Sequence, residues 1–255
     1  MPSTPRNIKL LIGYDGTDYS GWQRQHKGRT IQGEIEFFLK RMTLEDILLS
    51  GAGRTDAGVH ADGMVAHFHT ASKISCGDLL RGLNAMLPGA IRIFSVEEVS
   101  FSFHARFSAL GKHYVYKIFT GKIHPPILRL HTLHISASLD LEAMRHCLTS
   151  ILGPHDFSSF ENSGTRDKTS TSGRGAVRTI HEATLAKEST ELITLNFYGD
   201  GFLRNMVRNL VGTLLEVGRG KITPQEFTTI LAGKNRALAG PTAPAHGLCL
   251  KKVMY

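Results

Sequence analysis

Hydrophobic and polar positions change period repeatedly along this chain, and the changes mark its elements. Residues 8–14 (Ile-Lys-Leu-Leu-Ile-Gly-Tyr) are rich in branched residues and predict a buried strand. A glycine-rich polar stretch runs from Asp15 to Gly28. Ile31, Ile35, Phe38, Leu39 and Met42 then fall at helical spacing, with Thr30 placed to cap the helix. Ile47–Leu49 predicts a short strand leading into Gly51–His60, and Val65–Thr70 alternates as a strand does. Asp78–Leu87 predicts a helix stopped by Pro88-Gly89, followed by a strand over Ile91–Val99. The second half repeats the rhythm. It has a strand at His113–Phe119, a loop with Pro125-Pro126, a helix near Leu139–Leu152, and strands near Val177–Leu185 and Glu191–Tyr198. A long helix over Phe202–Val217 follows, then a short one after Thr223-Pro224 and a closing strand at Gly247–Val253. The simplest architecture is α+β in two halves, residues 1–108 and 109–255. The stretch Asn162–Gly175 has no hydrophobic period and reads as a mildly basic loop, with Arg166, Lys168 and Arg174 against Asp167.

Composition narrows the class. With 41% hydrophobic and 20% charged residues in 255, the chain can build a packed core, which excludes disorder. Thirty Lys and Arg against 22 Asp and Glu give a net charge of +8, which permits a polyanionic partner without naming one. Three cysteines, each far from the next, make neither a disulfide framework nor a close-spaced zinc cluster. No apolar run reaches membrane-spanning length, and the first residues lack the apolar stretch of a signal peptide. The expectation is a soluble cytoplasmic protein with no membrane partner.

Several chemical signatures fail. Gly51-Ala-Gly53 starts like a dinucleotide fingerprint, but Asp56 stands where its third glycine belongs, and no phosphate-loop ending follows. His67 and His69 share a strand face, yet two ligands without a third make a poor metal site. Asp15–Asp18 resembles part of a calcium loop but lacks the glutamate at its twelfth position. No metal site is expected.

Three features remain. Gly53-Arg-Thr-Asp-Ala-Gly-Val-His60 leaves a strand through glycines that permit unusual backbone angles and close ligand approach, with Arg54 and Asp56 two residues apart. A tight turn with a surface ion pair would have the same composition. On the Phe202–Val217 helix, Leu203, Met206, Leu210, Leu214 and Val217 form a core stripe. Arg204 and Arg208 share another face with Val211 and Leu215. Arginines so placed pair with a carboxylate, aim at a phosphate, or snorkel from a helix margin. Finally, Tyr114 and Tyr116 lie on one strand face with Lys112, as in a base-stacking surface or an ordinary sheet.

Taken in order, these segments resemble the tRNA pseudouridine synthase A family over nearly the whole chain. The resemblance is carried by Tyr14-Asp-Gly-Thr-Asp-Tyr-Ser-Gly-Trp-Gln23, Gly53-Arg-Thr-Asp-Ala-Gly-Val-His-Ala61 and Leu83-Asn-Ala-Met-Leu-Pro88. Phe103-His-Ala-Arg-Phe-Ser-Ala109, Tyr114-Val-Tyr116, Met206-Val-Arg-Asn209 and Gly247-Leu-Cys-Leu250 carry the rest. It implies a pseudouridine synthase fold, two α+β halves sharing a central, mostly antiparallel sheet with a cleft between them. It also implies a homodimer that isomerises uridines 38 to 40 in the anticodon arm of tRNA. Asp56 would be the catalytic aspartate with Arg54 beside it, Tyr114 would stack on the target uracil, Arg208 would pair with Asp56, and Leu248 would pack near the base. Arg24, Lys112 and Arg204 would hold phosphates.

The chemistry agrees. Isomerisation breaks the N1–C1′ bond, turns the uracil and rejoins it through C5. Nothing is oxidised and no group is imported, so neither a metal nor a nucleotide cofactor is expected. An ionised carboxylate, a neighbouring cation and a pocket that excludes water are required. A non-catalytic tRNA-binding protein on the same scaffold and an RNA glycosidase are the alternatives. The second is disfavoured because these motifs hold one carboxylate where glycosidases use two.

Overall fold

The computed structural model describes residues 5–162 and 174–255, so most of the expected basic loop, residues 163–173, lies outside the described residues. The chain divides into two compact units, Met1–Leu110 with Cys249–Tyr255, and Gly111–Leu248. The closing strand, which the sequence pattern groups with the second half, therefore belongs with the first unit.

In the first unit the elements run β1 (Arg6–Tyr14), α1 (Ile31–Thr43), β2 (Ser50–Gly51), β3 (His60–Thr70), α2 (Cys76–Met86) and β4 (Ile91–Val99). Strand β1 lies between β3 and β4, antiparallel to both, with Leu10 opposite Ala66 and Val96. Its branched residues Ile8, Leu10 and Ile12 are fully buried, so the strand is core rather than edge. Thr30 caps α1 and Ser75 caps α2, each accepting from the backbone N–H three residues on. The strand expected at Ile47–Leu49 is displaced: ladder pairing falls at Ser50–Gly51, opposite His67 and Ala66. Side chains of α1 take the Leu49 backbone groups instead. Glu36 Oε1 accepts from Leu49 N at 2.9 Å and Gln32 Nε2 donates to Leu49 O at 3.0 Å.

The second unit runs β5 (Gly111–Phe119), β6 (Leu133–His134), α3 (Leu141–Ser150), β7 (Gly153–Asp156), β8 (Val177–Lys187), β9 (Leu192–Gly199), α4 (Met206–Gly218) and α5 (Pro224–Ala232). Strands β5, β9, β8 and β7 are antiparallel neighbours in that order, and β6 pairs parallel to β5. The short β6 and the polar β7 carry no alternation the sequence could announce. The last strand, β10 (Leu248–Met254), runs parallel to β3, with Cys249 opposite His60 and Leu250 opposite Ala61. The fold is α+β, and within each unit the strands pair mostly antiparallel. Among the described residues no helix is long and apolar enough to cross a membrane.

Helix α4 corrects one expectation. It begins at Met206, not Phe202, because Asn205 sits at φ 59, ψ 4, a left-handed conformation that stops the helix. Arg204 therefore precedes the helix in an exposed turn and shares no helical face with Arg208. The expected core stripe is buried throughout, and so are Val207, Val211 and Leu215.

Candidate active site

Asp56 lies in the loop between β2 and β3, and that loop is bracketed by the glycine-rich segment after β1. Thr55 is buried; its hydroxyl bonds the Tyr14 hydroxyl at 2.8 Å, and its carbonyl accepts from Trp22 N at 3.1 Å. The Asp56 carbonyl accepts from Val59 N at 3.1 Å, closing a turn in which Gly58 has φ +75. Gly21, at φ +98, passes so close that a Cβ there would stand 2.7 Å from the Thr55 carbonyl oxygen and 3.1 Å from the Asp56 carbonyl carbon. A Cβ on Gly51 would meet the Trp22 ring at 2.7 Å, and one on Gly16 would meet the Val59 carbonyl oxygen at 2.1 Å. The segment is tied to α1 in turn, through Ile31 N to Gly21 O at 3.2 Å and Gln32 N to Trp22 O at 3.0 Å.

The glycines thus serve close packing of two backbones, and the result is a half-buried Asp56 on a loop held from behind. Arg54, on the same loop, is exposed. Asp15 is engaged in its own turn, where its Oδ1 accepts from Thr17 N at 3.0 Å and from the Thr17 hydroxyl at 2.6 Å. Arg24 is also engaged locally. Its Nη1 lies 3.2 Å from Oε2 of buried Glu36, and its backbone N–H donates to Gln32 Oε1 at 2.9 Å.

In the second unit, Tyr114 on β5 is 8% exposed and meets Phe202 edge-on, ring centroids 5.1 Å apart. Lys112 precedes it on the same strand face, half-buried. Tyr116, expected to share a stacking surface with Tyr114, is fully buried, and its hydroxyl donates to the Pro244 carbonyl at 2.9 Å. Burial pushes that phenol's pKa up, so it stays a neutral donor. Its ring lies beneath Gly247, where a Cβ would stand 2.6 Å from it, and so supports the approach to buried Leu248. Arg208, in the first turn of α4, donates from Nε to the Ala243 carbonyl at 2.8 Å and from Nη1 to Asn205 Oδ1 at 3.1 Å.

Asp56, Arg54, Tyr14 and Thr55 therefore gather in the first unit, and Tyr114, Lys112, Arg208 and Leu248 belong to the second. The Tyr14–Thr55 bond behind the loop has no signal in the local sequence pattern, although Tyr14 opens one of the segments that carry the resemblance.

The glycine-braced Asp56 loop lies in a stretch of chain with known relatives. A family model described as tRNA pseudouridine synthase matches residues 11–108 and 148–255. The chain belongs to that family. It is 60% identical over 250 residues to tRNA pseudouridine synthase A 1 of Desulfotalea psychrophila, covering 98% of this chain and all of that one. It is 45% identical to tRNA pseudouridine synthase A of Clostridium kluyveri and 47% identical to that of Acetivibrio thermocellus, at the same coverage. The solved archaeal box H/ACA sRNP Nop10–Cbf5 complex matches 82% of this chain and 43% of its own at 10% identity and a TM-score of 0.37, too distant to bear on the site.

Proposed function

We propose that this protein isomerises uridine to pseudouridine at positions 38 to 40 in the anticodon arm of tRNA, with Asp56 as its catalytic carboxylate. The observation that carries the reading is the bracketed Asp56 loop, built from two of the segments on which the family resemblance rests.

The reaction cleaves N1–C1′, forms C5–C1′, removes the proton from C5 and places one on N1, so atoms and electrons balance within the nucleotide. Asp56 supplies the negative charge at the glycosidic centre, and a loop that cannot recoil keeps that charge aimed. Arg54 orients the RNA beside it. Arg208 is assigned as the cation that keeps the aspartate ionised, an assignment carried by the resemblance of Met206-Val-Arg-Asn209. Tyr114 receives the uracil once it leaves its stack, and Leu248 lines the apolar side of the base. Extrusion costs a few kcal/mol, which stacking on an aromatic ring partly offsets. Lys112 and Arg204 hold phosphates. Arg24 does so less strongly, because Glu36 already engages it. A cytoplasmic homodimer completes the reading, and light scattering of the pure protein checks the second copy.

The deciding experiment maps pseudouridine in tRNA treated with wild type and with Asp56→Asn. The variant should form none while its tRNA affinity stays within about tenfold, or 1.4 kcal/mol. Equal loss of binding and activity would make Asp56 structural. Affinity without release of tritium from C5-labelled uridine in the wild type would leave a binding protein, and free uracil would mark a glycosidase. Arg208→Met should lower turnover; unchanged turnover removes Arg208 from the reaction.

A further inference from the structure

Residues 240–244 (Gly-Pro-Thr-Ala-Pro) have no regular secondary structure, so no ladder determines where they lie. They nevertheless press directly on α4: a Cβ on Gly212 would stand 1.7 Å from the Pro241 carbonyl oxygen. This strap also holds Arg208. Arg208 Nε donates to the Ala243 carbonyl at 2.8 Å, and Ala243 N donates back to the Arg208 carbonyl at 3.0 Å.

The neighbouring pair does the fastening. Asn209 is fully buried and uses all four of its side-chain hydrogen-bonding valences. Its Nδ2 donates to the Phe160 carbonyl at 2.8 Å and to Asn162 Oδ1 at 3.1 Å. Its Oδ1 accepts from the Thr242 hydroxyl at 2.6 Å and from Arg236 Nη2 at 3.1 Å. The same Arg236 Nη2 donates to the Thr242 oxygen at 3.1 Å, and its Nη1 donates to the carbonyls of Gly240 at 3.0 Å and Ala239 at 3.3 Å. Consecutive helix residues, Arg208 and Asn209, thus bond consecutive strap residues, Ala243 and Thr242. The strap carbonyl that accepts from Arg208 belongs to the residue next to Thr242, which the Asn209–Arg236 pair fastens.

We propose that Asn209, Thr242 and Arg236 form a positioning clamp that sets where the Arg208 guanidinium sits, and that turnover depends on the Thr242 hydroxyl through it. A free arginine side chain samples many rotamers. A carbonyl fixed at Nε removes much of that freedom before substrate arrives. Small displacements of a charged group at a reacting centre cost turnover more than binding, up to about a hundredfold for 1 Å. The proposal rests on the assignment of Arg208 to the reaction.

The test uses Thr242→Val, which keeps the side chain's shape and deletes its hydroxyl, and Thr242→Ser, which restores the hydroxyl. Each is assayed on wild-type and Arg208→Met backgrounds with thermal midpoints measured in parallel. In the wild-type background Thr242→Val should lower kcat roughly tenfold with KM for tRNA unchanged. Thr242→Ser should recover most of it, and Thr242→Val should add no further loss on Arg208→Met. A lowered midpoint with unchanged kcat would make the hub merely structural and overturn the proposal, as would the same loss on both backgrounds. Wild-type turnover in Arg208→Met would sink the assignment of Arg208 itself, and the clamp's role with it. Loss from Thr242→Val only where Arg208 is present supports both.

Discussion

His67 shows how one side chain's bonding decides a pH response. Its Nδ1 accepts from Ala105 N at 3.2 Å, and it hydrogen-bonds the Ser50 backbone, so both ring nitrogens are committed in the neutral form. Burial, the neighbouring His104 and, less strongly, His69 lower its pKa to about 4 against the bond to Ser50. The folded pKa lies below the ordinary 6.5, so between pH 6.5 and 4 the unfolded chain binds a proton that the native state declines. Stability contributed by neutral His67 is therefore complete above 6.5 and falls as pH drops through that window. His67→Asn, which keeps an acceptor for Ala105 N, should show a flatter urea-midpoint profile than wild type from about pH 7.5 down to about 5. Parallel profiles would show that His67 does not titrate on unfolding. Tyr116 makes a related point: a residue of stacking chemistry is a buried strut once its hydroxyl has found the Pro244 carbonyl.

At the scale of elements, the Asp56 loop and the Tyr14–Trp22 segment act as one piece, and Gly21 is one of the places where they touch. Alanine there meets two obstacles, a φ of +98 and a backbone oxygen 2.7 Å from the new methyl. Gly220→Ala is the matched control, with φ +72 and nothing within 4 Å, so it bears the conformational cost alone, about 1–2 kcal/mol. Gly21→Ala should cost about 2–5 kcal/mol and lower kcat as well, because relief of the clash moves Thr55 and Asp56. Denaturant titration and turnover of the two variants separate these contributions. Equal costs, or undiminished kcat in Gly21→Ala, would show that the bracket does not hold the aspartate.

For the whole molecule the relevant quantity is charge. A net +8 attracts tRNA without regard to sequence, and each phosphate contact adds about 0.7–0.9 to the slope of log affinity against log salt. Exposed Arg204 and half-buried Lys112 should each reduce that slope by about 1 when changed to Ala. Arg24→Ala should reduce it less and should lower stability, since it leaves the buried Glu36 carboxylate without its guanidinium. Filter binding across a salt series, with melting curves, reads both. The sequence by itself determined the α+β class, the cap at Thr30, the branched strands and the glycine loop around Asp56. These follow from period, local hydrogen bonding and backbone freedom, all properties of neighbouring residues. Only the tertiary structure decided that β2 pairs after Leu49, that α4 starts past Arg204, that the closing strand belongs with the first unit, and that Tyr116 supports while Tyr114 faces Phe202. The same holds for Asn209, which fastens a strap to the helix of Arg208. Apart from the start of α4, which the left-handed Asn205 sets, each outcome turns on groups finding partners far along the chain, and no local pattern encodes which partner will be there.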